Sequence, residues 1–284
     1  MKAEDLKLVV KEKYGSIARP GNFLEQQGCC GSSGCCGEPE FSMIGDEYTN
    51  VAGYNPDADL GLGCGLPTEY AGIKPGDSIL DLGSGAGNDC FVARTFVGET
   101  GQVTGLDFTE EMTQKAQQNL AKTGFKNIEF IQGDIEEMPL PDSTYDVIIS
   151  NCVLNLVPDK QKAFSEIYRV LKQDGHICIS DVVLSGELPA GMKKAAEMYA
   201  GCVSGALQKE KYLKIIEEQG FSQIEIKKKK SIGIPNTILK NYLEKNEIEN
   251  FKQAGTGIFS ITVTANKGSK WKNTNKELVF SKNT

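Results

Sequence analysis

Nine cysteines and a single histidine set the terms for any chemistry this 284-residue chain can do. The cysteines are Cys29, Cys30, Cys35, Cys36, Cys64, Cys90, Cys152, Cys178 and Cys202. One histidine, His176, excludes zinc sites that need two, and it leaves little room for a histidine-activated nucleophile. Thiolate chemistry remains, as soft-ion binding or redox exchange. In a small secreted protein such cysteines would read as a disulfide frame, but in a reducing compartment ion binding or redox work is the better reading. Their neighbours divide them. Cys90 and Cys178 stand in apolar stretches and read as small buried hydrophobes. Cys64 lies between Gly63 and Gly65, Cys152 follows Asn151, and Cys202 follows Gly201, settings that suit a ligand. The other four fall in a Gly/Ser-rich loop that repeats Gly-Cys-Cys-Gly, at 28–31 and 34–37. A zinc site there would want C-x2-C spacing, which these pairs lack.

A second constellation is Leu80-Asp81-Leu82-Gly83-Ser84-Gly85-Ala86-Gly87. Glycines between a strand and a helix let the backbone turn sharply and approach a ligand. The spacing is G-x-G-x-G rather than the G-x-G-x-x-G of a pyrophosphate cofactor. A tighter loop suits a ligand without phosphates, and Asp81 can meet an ammonium group. Both features favour S-adenosylmethionine over NAD. Asp107 falls twenty residues after Gly87, where a carboxylate can accept both hydroxyls of a ribose. Asp134 can reach an adenine amino group and Ile135 can pack on the ring. Phe108, Glu136 and Asn151, beside these positions, complete the candidate cofactor set with Gly83, Ser84, Gly85 and Gly87.

Alternating elements must position these residues. Strands are expected at Ser78–Leu82, Gln102–Leu106, Ile128–Gln132, Tyr145–Ser150 and His176–Asp181. Helices are expected at Asn88–Val97, Thr109–Thr123 and Lys160–Leu171. This rhythm implies βαβ units and an α/β, Rossmann-like parallel sheet flanked by helices. It breaks after Ser185. Helices are then expected at Ala190–Ala206, Gln208–Gln219 and Asn236–Glu247, and strands at Ser222–Lys228 and Phe259–Thr264 as a terminal hairpin-like pair, a smaller α+β segment. An amphipathic helix is expected before Pro20. The basic run Lys227–Lys230 reads as the solvated end of a strand.

Residues 70–185 closely resemble class I S-adenosylmethionine methyltransferases. Gly63-Cys64-Gly65-Leu66-Pro67, Asp89-Cys90, Ser150-Asn151-Cys152-Val153-Leu154-Asn155-Leu156 and Tyr199-Ala200-Gly201-Cys202-Val203-Ser204-Gly205-Ala206 extend the resemblance, over most of residues 8–265, to the arsenite methyltransferase family. The resemblance implies that Cys64, Cys152 and Cys202 hold trivalent arsenic as thiolates. Such arsenic takes three ligands in a pyramid and keeps a lone pair for in-line attack on a sulfonium methyl group, so no side-chain base is needed. Methyl transfer would consume one thiolate bond and leave monomethylated arsenic on Cys152 and Cys202. Cys36 is the nearest candidate for the family's N-terminal cysteine, which pairs with, or passes substrate to, the one matching Cys64. Cys29, Cys30 and Cys35 either ferry arsenic or are merely mobile thiols. Glutathione or thioredoxin is the implied thiol reductant and arsenic carrier. Patterning along the chain divides it into a helix and Cys-rich loop over 1–45, a cofactor domain over 46–185, a C-terminal part over 186–266 to which the resemblance assigns arsenic binding, and a polar tail over 267–284 expected to be disordered.

Composition sets the surroundings. A net charge of −7 argues against an electrostatic grip on nucleic acid or anionic lipid. The N-terminus lacks the apolar core of a signal peptide, and no segment approaches the ~20 apolar residues of a membrane span. A cytosolic location is therefore expected; a monomer is the expected state, though no residue pattern sets it. Two other readings compete: a methyltransferase of a small organic acceptor with incidental cysteines, and a cysteine-rich scavenger or sensor of soft metals.

Overall fold

The computed structural model describes residues 3–19, 48, 50–188, 205–233, 240, 243–253 and 256–268. Cys29, Cys30, Cys35, Cys36 and Cys202 lie outside the described residues, as do nearly all of the helix expected over 190–206 and the tail beyond 268.

Seven strands form one sheet in the order β3-β2-β1-β4-β5-β7-β6. They are β1 (Ser78–Leu82), β2 (Gln102–Asp107), β3 (Ile128–Gln132), β4 (Tyr145–Asn151), β5 (Leu171–Ser185), β6 (Phe221–Ile232) and β7 (Gly257–Lys267). The first five run parallel, as the alternating rhythm predicted. β7 lies antiparallel between β5 and β6, so the two late strands extend the sheet. β6 outruns its expected bounds because it pairs with β7 along nearly its whole length, and β5 does so through β7 at its far end and through β4 at its start, where Leu171 pairs with Tyr145. Lys227–Lys230 accordingly lies inside β6, the edge strand of the sheet, and not at its end.

Helices α1 (Ala3–Ala18), α2 (Pro67–Tyr70), α3 (Asn88–Val97), α4 (Glu110–Thr123), α5 (Lys160–Val170), α6 (Lys209–Glu218) and α7 (Lys245–Gln253) complete the described fold. α5 starts where the Asp159 carboxylate accepts the Lys162 amide at 3.0 Å, a cap for one exposed N-terminal donor. α7 begins where the Glu247 carboxylate reaches back to the Glu244 amide at 2.9 Å, one half of a capping box. Residues 236–239, 241 and 242 of the helix expected over 236–247 lie outside the described residues.

Strand residues alternate between two apolar layers. Leu80, Leu82, Leu106 and Ile148 pack with Phe164 and Ile167 of α5 and Tyr212 and Ile216 of α6. Ile79, Val103, Val147 and Ile149 pack on the opposite face with Phe91 and Val97 of α3. Both faces of β1 and β4 are thus covered, which is why these strands read as near-continuous apolar runs. With β1 between β2 and β4, the chain order reverses at β1, and the carboxyl ends of these strands open a crevice at that switch point. Among the described residues no helix is long and apolar enough to cross a membrane.

Candidate functional site

A cleft of about 160 Å³ opens at this crevice. Asp81, Gly83, Ser84, Gly85, Asp107, Phe108, Asp134, Ile135 and Asn151 all line it, as does Cys152. Gly87 and Glu136 stand just outside. Gly87 donates its amide to the Ser84 carbonyl at 2.9 Å and caps α3 in the left-handed region, φ +97°. A Cβ there would fall 2.7 Å from the Phe130 ring. Gly83 is held as tightly, with φ +68° and Val153 2.4 Å from where a Cβ would sit. Gly85, at φ +53°, faces open space, so its backbone is the part of the loop a ligand can approach.

Asp107 fixes that loop. Its carboxylate accepts the Gly85 amide at 2.9 Å and the Thr109 amide at 2.8 Å. Both bonds stabilise the ionised form, while burial works the other way and leaves its acidity somewhat weakened. At the far side Asp134 and Glu136 are bridged by the Lys7 ammonium, 2.6 Å from Asp134 Oδ2. Lys7, Val10 and Tyr14 of α1 thereby form a wall of the cleft that sequence reading did not assign. Its signal was the apolar and basic stripe of the first helix.

The cleft is acidic. Asp59, Asp81, Asp89, Asp107 and Asp134 line it, against Lys7. Burial, then the neighbouring charge of Asp89, pushes Asp81 well above the ordinary carboxylate range. Cys90 donates its thiol to Asp81 at 3.3 Å, and Cys178 donates to the Pro67 carbonyl at 3.1 Å. Burial pushes the Cys178 thiol up to about 12 and Cys90 well above its usual value, so both are neutral packing residues in the apolar layer.

The Cys64 turn is tied to the residue that precedes Cys152, although 88 positions separate the two cysteines. The Asn151 side chain makes the tie: Oδ1 accepts the Cys64 amide at 2.9 Å and the Gly65 amide at 3.3 Å, and Nδ2 donates to the Gly65 carbonyl at 2.8 Å. Ser260 of β7 donates to the Cys64 carbonyl at 2.6 Å. Cys152 takes the left-handed conformation, φ +62°, and donates its amide to the Ser180 carbonyl at 2.8 Å. A non-glycine residue in that region is strained, a cost of about 1–3 kcal/mol that clusters at functional sites. Both thiols are buried, Cys64 at 1% and Cys152 at 3% exposure. Tyr212, beneath them, donates to Asp181 at 3.1 Å, and burial followed by the Asp181 charge raises its hydroxyl well above normal, with Cys64 and Cys152 close enough to add to the effect. Burial raises Asp181 itself to about 7, against the pull of the Val182 amide, Lys160 and Tyr212. Gly205, three places after Cys202 in the chain, packs so closely on Asn155 that a Cβ would lie 1.8 Å from the Asn155 carbonyl.

A family model described as a methyltransferase domain matches residues 73–220. An arsenic(III) S-adenosylmethionine methyltransferase from Chlamydomonas reinhardtii, whose crystal structure is known, is 34% identical, with a TM-score of 0.62 over 73% of this chain and 68% of that one. This chain belongs to the arsenite methyltransferase family. Relatives named arsenite methyltransferase are 42% identical over 78% of this chain in Halobacterium salinarum and 35% identical over 75% of it in Homo sapiens. The chain spans 59% and 57% of those two arsenite methyltransferases. The class I methyltransferase fold that the resemblance implied is the fold found, with its parallel strands extended by β7 and β6.

Proposed function

We propose that this chain methylates trivalent arsenic, with S-adenosylmethionine as methyl donor and Cys64, Cys152 and Cys202 as the arsenic ligands. The observation that carries the reading is the bridge from Asn151 to the Cys64 amide, which seats two buried thiols from distant segments beside an acidic, glycine-walled cleft. S-adenosylmethionine supplies an electrophilic methyl group on a sulfonium cation. A cleft lined by five aspartates favours such a cation, and charge is lost when the methyl group leaves. Asp81 is positioned for the ammonium of the ligand's amino-acid part and Asp107 for the ribose. Asp134 and Ile135 are left for the adenine, with Lys7 sharing Asp134.

The thiols do the rest of the work. Thiolate is the preferred ligand for a soft ion. Three of them hold arsenic in a pyramid whose lone pair needs no general base, which accounts for a site without histidine. Gly205 anchors its segment on the Leu154–Leu156 turn that follows Cys152, and this supports Cys202 as the third ligand. Cys36 serves as an entry thiol for Cys64. Burial excludes water and fixes the orientation, which supplies much of the rate. Glutathione or thioredoxin delivers arsenic as a thiol conjugate and keeps it trivalent.

The test is turnover against a panel of acceptors. Adenosylhomocysteine formation is expected with arsenite plus glutathione or thioredoxin, and not with small organic acceptors. Turnover with an organic acceptor and none with arsenite would overturn the reading.

A further inference from the structure

We infer that Tyr48 and Asp89 are positioning residues for Cys64, acting through Asn151, and that they couple the cofactor cleft to the thiol site. The consequence for arsenic rests on the function proposed above; the positioning itself can be read on Cys64 directly.

The argument starts from the donors. Asn151 Nδ2 donates to the Tyr48 hydroxyl at 2.6 Å, and it also lies 3.1 Å from Asp89 Oδ2. The Tyr48 hydroxyl lies 2.8 and 3.0 Å from the two Asp89 oxygens and 3.2 Å from the Gly65 carbonyl. A phenol has one proton to give, and a carboxylate is a stronger acceptor than a carbonyl. Tyr48 therefore donates to Asp89 and receives from Asn151. This fixes which end of the Asn151 amide points where. With Nδ2 turned to three acceptors, Oδ1 faces the amides of Cys64 and Gly65. The Asp89 carboxylate thus sets the direction of the whole chain of bonds that ends on Cys64. Tyr48 and Asp89 are both buried, at 6% and 8% exposure, so water cannot replace a missing partner cheaply.

Asp89 also belongs to the other site. It stands in the first turn of α3, directly after the glycine loop, and lines the cleft together with Asn88 and Tyr48. A ligand that touches this carboxylate alters the same bonds that seat Cys64. Coupling of this kind is reciprocal, so occupation of either site must change affinity at the other.

The experiment alkylates the reduced, full-length protein with iodoacetamide and follows Cys64, Cys152 and Cys178 separately by mass spectrometry, with and without adenosylhomocysteine. In the wild type the nucleoside should change the Cys64 rate and leave Cys178 unaltered. Tyr48→Phe keeps the ring and removes the hydroxyl. It should raise the Cys64 rate about tenfold relative to Cys178 and abolish the response to the nucleoside, the size expected when one buried bond is lost. Asp89→Asn is the second variant and should act in the same direction. An unchanged Cys64 rate in both variants would overturn the inference, as would a rise of all three thiols together, which marks general loosening. Failure of the arsenic reading looks different: arsenite would not protect Cys64 or Cys152 in the wild type, while the effect of Tyr48→Phe on Cys64 would persist.

Discussion

The Asn151 side chain holds the Cys64 amide at 2.9 Å while its own backbone delivers Cys152 as the next residue, so one amide ties together two thiols that the sequence keeps far apart. Everything at the thiol end of the cleft depends on how closely the Gly63-Cys64-Gly65 turn approaches β4 and β5.

Gly65→Ala tests that approach without altering a thiol. A Cβ at position 65 would fall 2.6 Å from Ser180 Oγ and 3.3 Å from Thr262 Oγ1, two hydroxyls already bonded to each other at 2.8 Å. Relieving the clash pushes the Cys64 turn outward, at a cost of about 1–3 kcal/mol for an overpacked site. The expected result is a lower Tm and at least about a tenfold loss of arsenite-dependent turnover, as a small misplacement of reacting groups costs. Cofactor affinity, measured by calorimetry, should stay within about threefold.

Asp107→Ala addresses the other end. It removes the proposed ribose acceptor and leaves the Gly85 and Thr109 amides without their partner. A loss of about 1.5–3 kcal/mol in a charge-assisted pair corresponds to about 10–100-fold in cofactor Kd. Protection of Cys64 and Cys152 from alkylation by arsenite should be unaffected.

The two ends differ in how far they were legible in the sequence. Asp81, Gly83, Gly85 and Asp107 sit in one strand–loop–helix–strand unit, where local order alone brings a glycine turn against the next strand's terminal carboxylate. Cys152 was legible as the residue that ends a buried strand. Nothing local, however, could bring Cys64 to it, because the contact runs through a side-chain amide, a turn and a serine on β7. Tyr48 was not singled out, and Asp89 only within the Asp89-Cys90 string, for the same reason: their roles exist only once three segments have met. β7 was legible as a strand, but its insertion between β5 and β6 was not, since antiparallel pairing leaves no mark on periodicity.

Asp89 gives the fold a measurable pH dependence. Burial raises its carboxyl from 3.8 to about 6, against the pull of bonds from Asn151 and Tyr48. The folded value lies above the unfolded one, so the stability it contributes is fully present below 3.8 and is lost as pH rises through about 6. Asp89→Asn removes this titration. The difference in unfolding free energy between wild type and variant, from urea titrations, should fall by about 1 kcal/mol between about pH 5 and 7.5. A difference that stays constant, or grows, contradicts the assignment.

Lys160 carries a different risk. Its ammonium is buried and donates to the Asn155 and Val157 carbonyls at 3.2 and 3.1 Å, and burial depresses it against the support of Asp181 and Glu136. Lys160→Met leaves the turn after Cys152 without two bonds and removes a positive charge whose field reaches Asp181. Leaving buried acceptors without their donor costs about 1–3 kcal/mol, so a lower urea midpoint is expected. Lys160→Arg should recover only part of it.

The central claim is that methyl groups reach arsenic held by these thiols. The most direct measurement incubates the protein with methyl-labelled S-adenosylmethionine, glutathione and arsenite, separates the arsenic species, and runs Cys152→Ser in parallel. The account predicts labelled methylarsenic from the wild type and none from the variant, with cofactor binding retained by both. Cofactor binding without any methylated arsenic in the wild type, or equal product from Cys152→Ser, would contradict it.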